Sequence, residues 1–455
     1  MSKVKIAIIG GGAAGMMAAA TLAEATVEAT AEATNKASAR AEATAGKAAK
    51  TASAEAKPEI FLIERNFALG TKVLLTGGGR CNLTTGLDDI KEIADRYPRG
   101  GKFLMHALYN FPPLLIRNFF ESRGVPLKTE NDQRVFPVSD RAEDIVALFS
   151  KIFTEHKVNL LLNTQVISIK KTKSNFTLEL ANHAGGKQEI TTLTVDKLIL
   201  ATGGEAYRAT GSSGDGYAFA QSLGHAVTPL SPSLNSFTVK ELWARSLPGV
   251  ALQKAKFTIK TQNKPSKTYT SVGPALFTHH GITGPAIFAI SSRIAFEDYS
   301  PTRPLTLFVD LIPDTPQPAL EEALYMELNS NQQKFFRNSL SVFVPKSLAA
   351  EFCNLLQIPE DKKNVELSKK DYFKTIDLLK HMPLTIIGRA PQEEFVTAGG
   401  VDTAEINPRT MESLICPGLY AVGELLNVDA VTGGFNLTAA WVTGRLAGES
   451  ILKSI

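Results

Sequence analysis

Three glycines near the N-terminus constrain the fold of this chain more than any other feature. Gly10, Gly12 and Gly15 have G-x-G-x-x-G spacing, between an apolar run at residues 4–9 and a stretch of small residues at 13–25. In a βαβ unit the first glycine allows a tight turn, the second lets a pyrophosphate approach the backbone, and the third lets helix and strand pack closely. The helix N-terminus attracts the phosphates. The pattern predicts a strand, turn and helix that bind a dinucleotide.

The second strand of such a unit normally ends in an acid about 20 residues later. The first candidate here is Glu64, which closes the run EIFLIE, and it comes after a low-complexity segment that contains EATVEATAEAT. Removing most of residues 24–57 restores the expected spacing. Alanine favours helix in this segment, but an apolar stripe is missing. We therefore interpret 24–57 as an insertion, either a solvated extension of the first helix or a loop; a protein-binding arm is the alternative.

Composition is typical of a globular protein, with 455 residues, 44% hydrophobic and 21% charged. Cys81, Cys353 and Cys416 are far apart and form no C-x-x-C, so they suggest neither a disulfide framework nor a zinc site, and no metal is expected. No apolar run approaches the length of a membrane span. The sequence thus predicts a cytoplasmic protein.

Three further glycine-containing stretches have the features of a flavin site. GTKVLLTGGGRCNLTTG, at 70–86, provides a flexible backbone that can lie against a flat ring and present N–H donors. KLILATGG, at 197–204, is typical of the strand that returns beneath the cofactor. In GLYAVGELLNVDAVTGGFN, at 418–436, a strand is followed by a helix that opens near Gly434. The positive end of that helix would favour negative charge on a reduced flavin.

Together with TGSSGDGYAFAQSLGH, FTHHGITGP and TAGGV, these motifs resemble the BaiN/RdsA family of flavoproteins over nearly the whole chain. The resemblance implies an α/β fold: a Rossmann-like FAD-binding domain built from both chain ends, with inserted β-barrel-like and small helical domains. Alternating strands and then helical periodicity predict the boundaries. These are 1–226 and 385–455 for the FAD-binding domain, 227–312 for the barrel-like domain and 313–384 for the helical domain.

The resemblance also implies which residues bind FAD. For the ADP half they are Gly10, Gly12, Ala13, Ala14, Gly15, Glu64 and Arg65. Along the ribityl chain and flavin they are Lys72, Gly78, Gly79, Arg80, Cys81, Asn82, Ala201, Thr202 and Gly203. On the other side of the flavin they are Gly423, Glu424, Gly434, Phe435, Asn436 and Leu437. The sequence departs from the family pattern at Asn427, where Asp is usual, at Thr438, where Gln is usual, and at 206–208, where Ser-Tyr-Pro is usual.

Candidate catalytic groups are few. His279 or His280 could donate a proton in a reductive step, and the alternative is a hydrogen-bonded turn histidine. Cys81 could be a redox thiol, with close packing beside the flavin as the alternative. Arg389 is interpreted either as a salt-bridge partner or as a contact for an anionic substrate. Asp310 is expected to cap or pair structurally.

Charge is unevenly distributed along the chain. Between residues 217 and 296 there is one acid, Glu241, against eight Lys and Arg residues. Clustered cations gain affinity for phosphates by releasing counterions, so the segment predicts a polyanionic partner, with a lysine-rich solvated surface as the alternative. The candidate RNA-binding lysines are Lys254, Lys256, Lys260, Lys264 and Lys267.

These features predict an FAD-dependent oxidoreductase. No second complete G-x-G-x-x-G is present, so NAD(P)H would visit the flavin transiently as reductant. The resemblance implies reduction of a C=C bond conjugated to a carbonyl, and the basic segment favours uridine in large-subunit rRNA as the substrate, with rRNA or a ribosomal precursor as the partner. The alternatives are a small-molecule enone reductase, an aminoacetone-type amine oxidase, and a non-catalytic flavin- and RNA-binding ribosome-assembly protein.

Overall fold

The computed structural model describes residues 3–24, 57–182, 189–390 and 394–455. The chain divides into a first unit, Met1–Leu230 with Val396–Ile455, and a second unit, Ser231–Phe395. The interpretation of 24–57 as an insertion falls almost wholly outside the described residues. Of that segment, Glu24 is the last described residue of the first helix, and its carboxylate accepts hydrogen bonds of 2.9 and 3.0 Å from the guanidinium of Arg123.

The described residues form both strands and helices. The strands are β1 (Lys5–Ile9), β2 (Glu59–Ile63), β3 (Thr84–Thr85), β4 (Leu127–Thr129), β5 (Arg134–Pro137), β6 (Asn159–Leu161), β7 (Thr164–Lys171), β8 (Phe176–Asn182), β9 (Glu189–Val195), β10 (Lys197–Leu200), β11 (Ser231–Ser233), β12 (Phe237–Val239), β13 (Ala251–Lys260), β14 (Thr268–Phe277), β15 (Gly281–Thr283), β16 (Leu305–Asp310), β17 (Met382–Arg389), β18 (Val396–Ala398) and β19 (Leu419–Ala421). The helices are α1 (13–24), α2 (Ile90–Asp95), α3 (Gly101–Asn110), α4 (Pro113–Glu121), α5 (Glu143–Glu155), α6 (Asp215–Ser222), α7 (Leu242–Arg245), α8 (Pro285–Arg293), α9 (Gln317–Ser330), α10 (Phe336–Leu340), α11 (Lys346–Leu356), α12 (Lys369–His381) and α13 (Phe435–Ser454).

The first unit is built on a five-stranded parallel sheet of order β19-β10-β1-β2-β6. Its central strands are almost continuously apolar, as both faces of a parallel sheet require. Two antiparallel sheets, β3-β5-β4 and β7-β8-β9, complete the unit. The parallel arrangement brings the carboxyl ends of strands from both chain ends to one edge of the sheet. This confirms the predicted α/β fold built from both termini.

Small residues allow α1 and α13 to pack closely. A Cβ added at Gly444 of α13 would lie 2.3 Å from the carbonyl oxygen of Ala14 in α1. On another side of α13, the Trp441 ring stacks on Phe149 at 5.7 Å and meets the edge of Phe120 at 5.6 Å. The Trp441 Nε1 donates 2.9 Å to the Leu83 carbonyl. The C-terminal helix is therefore a buried part of the first unit's core.

The second unit contains a closed barrel of order β12-β15-β14-β13-β16-β17, so the predicted barrel-like and helical insertions are both present. Side chains alternate along β13: Ala255, Phe257 and Ile259 are buried, whereas Lys256 and Lys260 are exposed. Helices α9 to α12 lie between β16 and β17 in the chain. The predicted boundary at 384/385 falls inside β17, which pairs with β16 and β12.

No helix in the described ranges combines the length and hydropathy that crossing a membrane requires.

Candidate functional site

The turn after β1 has the geometry that its glycine spacing predicts. Gly10 has a left-handed φ of 108°, and its N–H donates 2.8 Å to the Ile63 carbonyl at the end of β2. A Cβ added at Gly15 would lie 1.9 Å from the Gly10 carbonyl oxygen, whereas a Cβ added at Gly12 would meet no atom within 4 Å. Gly10 and Gly15 thus serve the packing of strand and helix. Gly12 faces the open space into which a phosphate could approach the backbone.

Glu64 lies beside this turn, directly after β2. The residue is 9% exposed, and its carboxylate accepts hydrogen bonds from the backbone N–H of Gly11 at 2.7 Å and of Asn66 at 2.8 Å. Burial raises the pKa of the Glu64 carboxyl above its usual range, against the lowering effect of these donors. The acid is fixed at the end of the strand where the sequence expects it.

The residue after Glu64 makes protein contacts. The Arg65 guanidinium lies 3.1 Å from the Asp215 carboxylate at the start of α6, and it also donates to the Ser213 hydroxyl. Next to it, Asn66 Nδ2 donates 2.9 Å to the Thr210 carbonyl. The predicted cofactor contact Arg65 therefore fastens the end of β2 to the loop that precedes α6.

A polar network joins four distant segments of the first unit. Lys72 Nζ lies 2.7 Å from Glu424 Oε2, and Glu424 Oε1 accepts 3.0 Å from the Thr397 N–H. The Thr397 hydroxyl in turn accepts from the N–H groups of Glu205 at 2.7 Å and Ala206 at 3.1 Å. Lys72 and Glu424 are predicted site residues. Thr397 and Glu205 were missed, and the only signal for Thr397 is its place in the TAGGV motif.

The glycine-rich stretch at 77–79 has left-handed φ at all three glycines. At Gly78 and Gly79 an added Cβ would meet no atom within 4 Å. The side chain of the next residue, Arg80, is held by two contacts. Its guanidinium lies 3.8 Å from the centre of the Phe136 ring and 2.8 Å from the Glu130 carboxylate. The open backbone of the glycines is available to a flat ligand, while the Arg80 side chain packs on β5.

Cys81 is fully buried, with a left-handed φ of 59°. Burial raises the pKa of its thiol to about 12, and the contact with the Thr76 hydroxyl only partly opposes this. A reactive cysteine needs a lowered pKa, because the thiolate is the nucleophile. The geometry therefore supports close packing over redox chemistry for this residue.

The N-terminus of α13 meets the same segment. Gly434 caps the helix with φ 85°, and a Cβ there would lie 2.3 Å from the Thr84 carbonyl oxygen. The Asn436 amide closes the preceding loop, because Oδ1 accepts from the Ala430 N–H at 2.9 Å and Nδ2 donates to the Ala430 carbonyl at 3.1 Å. Thr438, one of the departures from the family pattern, pairs its hydroxyl with that of Thr84 at 2.8 Å. The positive end of a 20-residue helix is thus held beside residues 82–85.

An ion pair that the sequence did not reveal anchors the loop before α13. Asp429 is fully buried, and its carboxylate accepts hydrogen bonds from Nε and Nη2 of Arg99. The Arg99 side chain is 17% exposed. The backbones of the two residues also form an antiparallel bridge, and the Val431 N–H donates 3.0 Å to the Arg96 carbonyl. The loop is therefore fixed to the segment that precedes α3.

Several buried polar atoms on these segments have no hydrogen-bond partner among the described residues. They are Asn82 Oδ1, Thr202 Oγ1 and Asn427 Oδ1. Buried polar atoms are nearly always paired in folded proteins, because leaving them unpaired costs free energy. They come from three of the segments that the motifs assign to a cofactor. Together with the open backbone at Gly12 and Gly78, they form a donor and acceptor set that fits a polar, flat dinucleotide.

The remaining predicted sites belong to the second unit. His279 and His280 are exposed in the turn between β14 and β15, where the Arg245 Nε donates 3.2 Å to the His279 carbonyl. The Arg389 guanidinium lies 4.8 Å from the centre of the Tyr299 ring and donates to backbone carbonyls. Asp310 pairs with Lys380 Nζ at 2.7 Å, which confirms its predicted structural role.

The candidate RNA-binding lysines are all exposed. Lys254 pairs at 2.7 Å with Asp314, an acid outside the basic segment at 217–296. Within the part of the chain that the structure describes, Lys256, Lys260, Lys264 and Lys267 have no salt-bridge partner. Four of the five predicted lysines thus keep an uncompensated charge.

A serine, a histidine and a carboxylate also meet in the first unit. His225 bonds Glu405 through Nδ1 at 2.9 Å and Ser413 through Nε2 at 2.8 Å. The arrangement resembles a hydrolytic triad, but Ser413 is 5% exposed and its Oγ already accepts from the N–H groups of Ile415 and Cys416. These contacts fix a turn and leave no presented nucleophile.

Comparison with known proteins identifies the family of this chain. Residues 41–450 match the family described as HI0933-like protein Rossmann domain. The chain belongs to this family. A 3-dehydro-bile acid delta(4,6)-reductase of Clostridium scindens is 30% identical over 448 residues, covering 98% of each chain. Ribosomal RNA dihydrouridine synthases of Escherichia coli and Haemophilus influenzae are 28% and 27% identical, each over 88% of this chain and 94% of the relative.

This HI0933-like protein is an FAD-dependent oxidoreductase, and the predicted resemblance to the BaiN/RdsA family is confirmed. The residues at the edge of the sheet fit FAD. Gly12 and the start of α1 offer backbone donors for the pyrophosphate, and Glu64 offers an acceptor for ribose hydroxyls. The orphaned oxygens of Asn82 and Asn427 suit the polar edge of the flavin. The individual contacts remain predictions.

Proposed function

We propose that this HI0933-like protein is an NAD(P)H-driven reductase of C=C bonds conjugated to a carbonyl, and that its substrate is uridine in large-subunit rRNA. The activities of its relatives support the reaction class. A 3-dehydro-bile acid delta(4,6)-reductase and a dihydrouridine synthase both reduce a double bond conjugated to a carbonyl group. The two kinds of relative are nearly equally similar to this chain, so sequence identity does not choose between a steroid and an RNA.

The observation that favours RNA is the charge of the second unit. Lys256, Lys260, Lys264 and Lys267 are exposed and lack salt bridges within the described residues. These cations would not contribute to binding a small apolar substrate. Each of them would raise the affinity of the protein for RNA, because pairing with a phosphate releases counterions.

The protein has three tasks in such a reaction. FAD in its reduced form would supply the hydride that reaches the β-carbon of the conjugated system, and NAD(P)H would reduce the oxidised flavin again. The chain must bind the cofactor, and we assign this to Gly12, Glu64 and the start of α1. It must stabilise negative charge on the reduced cofactor, which we assign to the N-terminus of α13 at Gly434. It must also deliver a proton to the α-carbon, for which His279 or His280 is the proposed donor.

Mass spectrometry of ribosomal RNA tests the substrate directly. Disrupting the gene should remove one dihydrouridine from large-subunit rRNA, and the purified FAD-loaded protein with NADPH should restore it. An unchanged dihydrouridine content in the disrupted strain would reject rRNA as the substrate.

Charge reversal tests the role of the lysines. Lys256→Glu with Lys260→Glu should weaken RNA binding and flatten its salt dependence, and FAD should stay bound. Lys370→Glu with Lys374→Glu is the matched control, because these lysines of α12 are exposed and the charge change is the same. Equal losses in both variants would show that only net charge matters.

An enone reductase of small molecules is the second candidate, favoured by the 30% identity to the bile-acid enzyme over 98% of both chains. Anaerobic NADPH consumption with a 3-oxo-4,6-diene steroid would support it. Rapid reoxidation in air with release of peroxide would instead indicate an amine oxidase. RNA binding by a protein whose flavin NADPH does not reduce would indicate the non-catalytic assembly role.

A further inference from the structure

The outward face of the barrel carries an aromatic side chain at a position where the strand pattern places polar residues. On β16, Leu305, Leu307 and Val309 point into the core, and Thr306 and Phe308 point outward. Phe308 is 46% exposed. The exposed part of the Phe308 ring gains nothing from burial in the free protein, so a partner that covers it would gain that free energy.

The strand register defines the surroundings of this ring. Phe308 is directly opposite Thr258 of β13, and Thr258 is in turn opposite Thr270 of β14. Lys256 and Lys260 lie two residues on either side of Thr258, so they share its face. Diagonal neighbours of this kind have separations of about 7–8 Å, which long side chains span. One aromatic ring is therefore flanked by two cations on a surface that also carries threonine hydroxyls.

The positive charge of this face is not cancelled by its nearest acid. Asp310 lies opposite Lys256 in the register, but its carboxylate is 2.7 Å from Lys380 Nζ and accepts from the Ile312 N–H at 3.0 Å. Lys256 and Lys260 have no salt-bridge partner among the residues that the structure describes. The face thus combines a flat apolar ring with uncompensated cations.

We propose that this face binds single-stranded RNA: a base stacks on Phe308, and the phosphates on either side of it pair with Lys256 and Lys260. The inference rests on the proposed rRNA substrate and adds where the RNA binds and in which form. Single strands are bound by just this pair of features, because every base has a face that can stack and every linkage carries a charge. A duplex hides its bases and would use only the lysines.

Fluorescence anisotropy of the FAD-loaded protein with a short, labelled, uridine-rich RNA tests the proposal. Phe308→Ala should weaken binding by roughly 5- to 150-fold, the loss expected for one stacked base, with an unchanged dependence on salt. Phe308→Trp should retain binding, since it keeps the stacking surface. Lys256→Gln with Lys260→Gln should reduce the salt slope by about 0.7 for each lost phosphate contact.

The control is Phe373→Ala, which removes an exposed phenylalanine of α12. Equal RNA affinity for Phe308→Ala and the wild type would overturn the proposal, as would equal affinity for the same sequence as a duplex. Binding of anionic lipid vesicles that depends on Phe308, with no such dependence for RNA, would assign the face to a membrane and overturn it too.

Failure of this inference and failure of the proposed function give different results. If gene disruption removes dihydrouridine and a Phe308→Ala copy restores it with unaltered RNA affinity, the face is not the docking site although the substrate is correct. If dihydrouridine persists after disruption, the rRNA substrate is wrong, whatever the anisotropy of the variants shows.

Discussion

The buried ion pair between Arg99 and Asp429 gives the sharpest prediction. Asp429 is fully buried and the Arg99 side chain is 17% exposed, so Asp429→Asn removes the negative charge from a buried ion pair while keeping the shape of the side chain. Removing one partner of a buried ion pair lowers the free energy of unfolding by about 3–5 kcal/mol. We take about 3 kcal/mol here, because Arg99 keeps some contact with water. For a unit of about 290 residues, an unfolding entropy of about 2.1 cal/mol/K per residue gives about 1.6 °C per kcal/mol, so the melting temperature should fall by roughly 5 °C.

Thermal melting and flavin fluorescence together measure this effect. Because the pair anchors the loop before α13, the cofactor should also be released at a lower temperature than in the wild type. The matched control is Arg96→Met, which breaks the exposed pair with Glu92, whose side chains are 45% and 48% exposed. Exposed i,i+4 pairs are worth about 0.3–0.5 kcal/mol, so this change should move the melting temperature by less than about 1 °C.

A double substitution tests whether the loss of stability comes from breaking the charge pair. Arg99→Met with Asp429→Leu removes both charges, and replacing a buried pair by apolar residues is often neutral or stabilising. The double variant should therefore melt above Asp429→Asn, and the cycle should show strong coupling. An Asp429→Asn protein that melts within about 1 °C of the wild type and retains FAD would refute the reasoning.

Three further predictions concern the cofactor site. Gly12→Ala should have the melting temperature of the wild type and bind FAD more weakly. Gly15→Ala should have a lower melting temperature, because its methyl group would meet the Gly10 carbonyl. Similar melting temperatures for the two variants would contradict this. Flavin titration should show that FAD affinity falls on acidification, at a pH above the usual range of glutamate. The reason is that burial raises the pKa of Glu64 and protonation removes the acceptor. Glu64→Gln should bind FAD with the same affinity across this pH range, and a pH-dependent Glu64→Gln protein would count against the assignment. Iodoacetamide near neutral pH should modify Cys81 only after unfolding, because the pKa of the thiol is about 12, and fast labelling of the native protein would show otherwise.

Features encoded by neighbouring residues were predicted well. The glycine spacing at Gly10, Gly12 and Gly15 predicts a turn in which the first and third glycines have no room for a side chain. The alternation along β13 predicts a barrel strand with its lysines outside. In each case the pattern of one short segment is enough, because backbone geometry and burial period are local properties.

Contacts between distant residues were not predictable in the same way. The sequence gives no local sign that Arg99 pairs with Asp429, or that Thr397 bonds Glu424. Such partners are selected by the folded arrangement of segments far apart in the chain. For the same reason, β17 resembled a return to the nucleotide-binding domain, and its pairing with β12 and β16 became visible only in the barrel.

The strand order of the central sheet also bears on how the protein is made. In the finished sheet Leu198 pairs with Leu419, so a nascent chain emerges with β10 long before its neighbour β19 exists. Helix α13, whose Trp441 packs on Phe149, is translated later still. Until then the edge of β10 and the aromatic core are uncovered, and such surfaces favour aggregation. A premature stop codon before α13 would leave that exposure permanent.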